Sequence, residues 1–236
     1  MHKNITIKVS TGQNHHTPSE LLIIGAFQKP RKGPKENKDK KTQKPDSATQ
    51  ELLLPWEKDL KEAFQKLKNS SMYKAGLGEV FYFSLADGTT VLSVGLGEKQ
   101  KLTREKIRKE FSKTYKMIKD KFLSATLKID DFFYPKANLE EIVYLAHESI
   151  LLTDYVFDKH LSKKKERKLS VITLDSSSKI APSKVEQAII RGLAVSESIN
   201  IAIDFVNEPP NILNSETYAK RVEKEAHALP NVKCKI

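Results

Sequence analysis

The sequence predicts a three-layer α/β fold, a mixed sheet with helices on both faces, followed by a helical connector. Three observations carry this expectation. From residue 5 to about 175, short β-rich runs alternate with amphipathic helical stretches, the pattern of strands joined by crossover helices. One run, Leu21-Leu22-Ile23-Ile24-Gly25-Ala26, is apolar at successive positions, as expected of a strand covered on both sides. After residue 180, helical periodicity takes over almost to the end. Residues 1–178 hold enough elements for one complete domain, whereas 180–236 reads as helix, helix, strand and closes no core of its own.

The elements follow in order. Ile5, Ile7 and Val9 alternate with polar residues, a strand with one wet face. Leu21–Ala26 is the covered strand. Leu60, Ala63, Phe64 and Leu67 repeat at helical spacing. Val80 to Leu85 and Thr90 to Leu96 are β-rich and joined through Asp87-Gly88, which predicts a hairpin. Thr103 caps a helix with Ile107, Phe111, Ile118 and Phe122 on one face. Ala125 to Phe133 reads as a strand. Asn138 and Glu141 form a cap pair that opens a long helix through Leu145, Ile150 and Phe157. Leu169 to Leu174 is a buried strand. Ser183 and Glu186 make a second capping-box pattern. The helix behind it carries Val185, Ile189, Leu193, Ile199, Ile203 and Val206 as one stripe and stops by Pro209-Pro210. Asn214 or Ser215 caps a last helix, and Val232 to Ile236 resembles the first strand of something further.

Composition narrows the class. Of 236 residues, 39% are hydrophobic and 30% charged, which argues against disorder throughout. The lone Cys234 rules out an intramolecular disulfide framework or a cysteine-only zinc site, and points to a reducing, cytoplasmic setting. No apolar run approaches the roughly 18 residues a membrane span requires, so no membrane association is expected. The N-terminus alternates like a strand and lacks the apolar core of a signal peptide.

The net charge of +11 is unevenly spread. Residues 28–50 carry eight Lys/Arg, three Asp/Glu and three prolines with almost no apolar side chain, and read as a disordered basic loop. Residues 99–121 hold ten basic and three acidic residues, and Lys159–Lys168 six and one. Solvated helix faces and helix C-termini account for these, and His160 is read as a helix-end contact of that kind. A nucleic-acid surface is the disfavoured reading, because no recognition motif accompanies the charge.

The search for chemistry finds no complete constellation. His147-Glu148 is the one His-Glu step, but Leu151 stands where a zincin helix needs its second ligand. His15-His16 reads as a solvated pair. There is no G-x-S-x-G elbow. Gly95-Leu96-Gly97 follows a strand and precedes a helix, but Gln100 occupies the third glycine position of a dinucleotide fingerprint, so a tight turn is preferred over a phosphate cradle. Asp130 and Asp131, neighbours on the expected strand, point to opposite faces. Asp204 and Glu208 stand i,i+4 at a helix C-terminus, where two acids are unfavourable, so a basic partner is expected, placed in a portion of protein beyond this sequence. Catalytic, cofactor-binding and metal residues are therefore expected to number none.

Two stretches resemble the cytosolic leucyl aminopeptidase family. Ser149-Ile150-Leu151-Leu152-Thr153-Asp154-Tyr155-Val156-Phe157-Asp158-Lys159 is similar to one of its helices, and Asn200-Ile201-Ala202-Ile203-Asp204-Phe205-Val206-Asn207-Glu208-Pro209-Pro210-Asn211 to the stretch between its two domains. Thr90 to Glu98 is similar to its N-terminal domain. The resemblance implies a macro-domain-like N-terminal domain and a catalytic domain binding two divalent metals, Zn or Mn, in a cytoplasmic hexamer that cleaves N-terminal residues from peptides. It further implies that 180–236 is a connector plus the start of a truncated catalytic domain, and that this chain alone holds no cofactor and is inactive. Its partners would be that catalytic domain or further copies of itself, and peptides only through the catalytic domain. Ile203 stands where many members carry an arginine, and Asn214-Ser215 replaces a common Thr-Pro. The alternative reading is a stand-alone basic module for nucleic acid or a phosphorylated ligand.

Overall fold

The structure, a computed structural model, describes residues 5–12, 19–28, 55–69, 72–163 and 167–235. The expected basic loop, apart from Gln28, and His2, His15 and His16 lie outside them. Eleven elements follow in order: β1 (Thr6–Thr11), β2 (Leu21–Ala26), α1 (Pro55–Asn69), β3 (Val80–Ser84), β4 (Thr90–Gly95), α2 (Arg104–Ile118), β5 (Ser124–Lys128), α3 (Leu139–Asp154), β6 (Val171–Ser176), α4 (Pro182–Asn207) and α5 (Ser215–His227). Among the described residues the strands form one six-stranded sheet in the order β1-β6-β5-β2-β4-β3. Every pairing is parallel except β3 with β4, the expected hairpin. Its turn is closed by Leu85 N–H donating to Thr89 O, with Gly88 at a φ of 87°.

The period-2 alternation of side chains explains the three layers. On β2, Leu21 and Ile23 face the core shared with α2 and α3, where Ile107, Phe111, Ile118, Ile142 and Leu145 lie. Leu22 and Ile24 face the other way and pack with Val91 against Leu60, Ala63 and Phe64 of α1. A continuous apolar strand thus means a strand between two helical layers, as expected. β1, at the edge, buries Ile7 and Val9 partly and leaves Thr6 and Lys8 exposed.

Several boundaries differ from expectation. The fifth strand stops at Lys128 and turns into a 3-10 segment, Ile129–Phe132. Short acidic side chains compete for backbone donors there: Asp130 accepts from Ser177 N at 2.7 Å, and Asp131 from Gly25 N at 3.3 Å. Phe122 and Phe157 lie beyond their helices, which end at Ile118 and Asp154. Thr103 and Asn138 do cap as expected, accepting from the amides of Lys106 and Glu141. The Ser183–Glu186 box does not form. Pro182 opens α4 after Ala181 instead, its fixed φ and missing N–H suiting a first turn. Residues 232–235 form no strand.

The largest correction concerns α4. Its buried residues are Ala188, Gly192 and Ser196, not the aliphatic stripe. Small side chains let α4 approach α3 closely: a Cβ on Gly192 would stand 3.0 Å from His147 Nδ1. Many of the aliphatic residues are left outside, with Ile190 58% and Val206 84% exposed.

Candidate functional site

In an open α/β sheet, ligands favour the crevice at the C-terminal ends of the strands where the winding reverses, here between β2 and β5. That crevice is filled. A Cβ on Gly25 would meet Asp131 O at 2.8 Å and the Leu96 side chain at 2.9 Å. The neighbouring Gly95-Leu96-Gly97 amides are all spent on backbone: Gly95 N–H donates to Glu79 O, Leu96 N–H to Ala26 O, and Gly97 N–H to Ala75 O. Gly95 exists for close approach, since a Cβ there would lie 2.1 Å from Gly76 O. A phosphate would find no free donor in this turn.

A second hollow, about 610 Å³, opens between the β1 edge, the end of α3 and α4. Ile5, Ile7, Leu151, Ile189 and Leu193 give it an apolar lining. Two of its charges pair with each other: Arg167 donates to Asp154 at 2.5 Å, and Tyr115 donates to the same carboxylate at 2.7 Å. Burial and that carboxylate push the Tyr115 phenol well up. His147 also lines the hollow, with its Nδ1 sealed against α4 and without a hydrogen bond. Burial pushes its imidazole below the usual value, so it is neutral at pH 7.

The third arrangement joins α4 to the segment after α3. Lys159 Nζ stands 2.6 Å from Asp204 Oδ2 and 3.3 Å from Glu208 Oε1. His160 Nε2 lies 2.8 Å from Glu208 Oε2, and Arg221 of α5 donates to Glu208 Oε1 at 3.3 Å. Tyr155 donates its hydroxyl to Asp204. Burial first, and that hydrogen bond second, push the Tyr155 phenol up to about 12. Glu208, its side chain 5% exposed, is held below the usual carboxylate range by His160 first and then by Lys159 and Arg221. Phe205 completes the cluster, edge-on to Tyr218 at 5.2 Å and beneath Arg221 at 5.1 Å.

The basic partners expected for Asp204 and Glu208 are therefore in this chain, on residues 159–160 and on α5. Sequence reasoning read Lys159 and His160 as solvated or helix-end charges because it carried α3 to Phe157 and placed them at its end, whereas the helix stops at Asp154. The signal that could have found them is charge complementarity between that basic run and the i,i+4 acids. Asp130 and Asp131 stay apart as expected, but on a 3-10 turn: Asp130 accepts from Ser176 and Ser177 and Asp131 from Gly25. Among the described residues, no three His, Cys, Asp or Glu side chains gather in a way that could hold a metal ion.

Comparison with known proteins adds the last observation. Residues 23–164 match the cytosol aminopeptidase family, N-terminal domain. The chain is 31% identical over 136 residues to a probable cytosol aminopeptidase of a Sulfurihydrogenibium species, covering 58% of this chain and 27% of that protein. It is 30% identical over 190 residues to one from Clostridium perfringens, covering 74% and 38%. The chain thus spans well under half the length of these relatives. Among solved structures, a tomato leucine aminopeptidase mutant superposes with a TM-score of 0.69 at 16% identity, covering 97% of this chain and 43% of that one. The bottromycin maturation enzyme BotP in complex with Mn gives 0.59 at 20%, covering 89% and 37%. At these identities the structural likeness speaks for the fold.

Proposed function

The chain belongs to the cytosol aminopeptidase family through that family's N-terminal domain, and from this premise we propose that it is the N-terminal region of a leucyl aminopeptidase. The full enzyme would be a metal-dependent exopeptidase that releases N-terminal amino acids from peptides. This region is non-catalytic by itself and serves assembly and access to the active site. Residues 1–178 form the α/β domain, macro-like in architecture, and 180–236 the connector into a catalytic domain.

The observation that carries this reading is the exposed aliphatic surface of the connector. Ile190, Leu193, Ile199, Ile201, Val206 and Ile212 are all exposed on or just after α4. Such a density of aliphatic surface on one long helix fits a face covered by protein. The catalytic domain covers it in the cytoplasmic assembly, a hexamer by family resemblance. Two divalent ions, zinc or manganese, belong to that other domain, where they would activate water. The manganese in BotP supports the metal class. No helix among the described residues is long and apolar enough to cross a membrane.

The test is turnover of Leu-p-nitroanilide by the purified chain with manganese or zinc, alone and with a separately expressed catalytic domain from a relative. We expect none from the chain alone. Metal-dependent release by it would overturn the reading. The alternative, a basic module for nucleic acid or a phosphorylated ligand, draws on the net charge of +11. It is weakened by pairing within the basic stretch: Arg104 with Glu141 at 2.6 Å and Arg108 with Glu148 at 3.3 Å. Binding to DNA or RNA that falls steeply as salt rises from about 50 to 200 mM would favour it instead.

A further inference from the structure

We propose that Glu208 is the pivot of an electrostatic joint that fixes the angle of α5, and of whatever polypeptide follows it, relative to the α/β domain. This stands on geometry alone and does not depend on the aminopeptidase reading.

The argument starts from what does not hold α5. Of its described residues Ala226 alone is buried, and none of its side chains enters a hydrophobic core cluster. Its N-terminus is locally satisfied by the reciprocal Asn214–Thr217 capping box, which starts the helix but does not aim it. Between α4 and α5, Glu208-Pro209-Pro210 breaks the helix, because neither proline can donate a backbone hydrogen bond. The amides of Ile212 and Leu213 both donate to Pro209 O and close the turn between the helices, and side chains supply the contacts that tie α5 back to the domain.

Those side chains converge on one carboxylate. Glu208 is reached from the domain side by Lys159 at 3.3 Å and His160 at 2.8 Å, and from α5 by Arg221 at 3.3 Å. Asp204, one turn earlier, takes the second contact of Lys159 at 2.6 Å together with the Tyr155 hydroxyl. The aromatic contacts of Phe205 with Tyr218 and Arg221 add shape. A carboxylate with little side-chain exposure that takes donors from two separate elements ties those elements to each other, which suits it to position α5. Removing its charge leaves Lys159 with Asp204, so the domain side stays intact while α5 loses its ionic anchor.

The test is hydrogen exchange by mass spectrometry on the intact 236-residue chain, comparing wild type with Glu208→Gln and Arg221→Gln. Amides of residues 215–227 should exchange about tenfold faster or more in both variants, the scale expected for a lost charge-assisted hydrogen bond. Amides of β2 should be unchanged. Arg221→Gln keeps Glu208 paired with Lys159 and His160, so it remains informative if Glu208→Gln folds poorly. Unchanged protection of α5 in Arg221→Gln overturns the proposal. So does an equal rise in β2 in both variants, which would make the cluster part of the global fold and not a joint.

Discussion

Helices α2 and α3 rest mainly on buried apolar side chains, and helices α4 and α5 far less so. α2 buries Ile107, Phe111, Tyr115 and Ile118, and α3 buries an almost unbroken run from Ile142 to Ile150. α4 buries Ala188, Gly192 and Ser196, turns aliphatic residues outward, and meets its neighbours at its far end through charges. The first pair is specified by the hydrophobic effect, which is non-directional and tolerant of small shifts. The second is specified by close backbone approach and directed ion pairs, which set an angle. A helix that must present a face to something else gains by being fixed this way.

The comparison can be broken first at its strong end. Phe111→Ala, which removes a ring packed 5.0 Å from that of Phe132, should cost about 3–5 kcal/mol of unfolding free energy in urea. A cost below about 1 kcal/mol would mean that α2 is not part of a dense core. A smaller effect comes from His147, buried where α3 meets α4. Its folded pKa lies below the unfolded value near 6.5, so the unfolded chain binds more protons as pH falls. The stability linked to the neutral ring is complete above about pH 6.5 and declines below it, by at most about 1.4 kcal/mol per pH unit. Denaturation midpoints at pH 7.5 and 5.5 read this directly, and His147→Gln should flatten the slope. The smallest effect belongs to the exposed end of α4, where Val206 stands 84% exposed. Val206→Ser should change stability by less than about 0.5 kcal/mol while lowering the binding of an apolar dye such as ANS. A large stability loss there would place Val206 in a core after all.

What was legible in the sequence follows the same division. The alternation in Ile5–Val9, the continuous run Leu21–Ala26, the Asp87-Gly88 turn and the caps at Thr103, Asn138 and Asn214 each report local geometry, and local geometry writes itself into neighbouring residues. The 3-10 turn at 129–132 was hidden because Ile129 and Phe132 continue an apolar pattern while the decisive bonds, to Ser177 and Gly25, come from distant residues. The inner face of α4 was misread for a related reason. Hydrophobicity marks what is buried by area, whereas the contact over His147 selects for smallness. The Glu208 joint was half visible: two acids at a helix end announced a need for cations, but nothing in their own segment says that residues 159–160 return to meet them.

The pairing of β1 with β6 has a consequence for how the chain is made. Thr6 and Val171, partners in this parallel pairing, are separated in sequence by about 165 residues. At a synthesis rate of roughly 5–20 residues per second, the first strand leaves the ribosome on the order of ten to thirty seconds before its neighbour exists. The inner strands β2, β4 and β5 can assemble in that interval, so β1 joins the sheet only once β6 has been made. A ribosome that stalled before Val171 would release a nascent product with that early ribbon unclaimed, its backbone donors and acceptors open to a strand from another molecule.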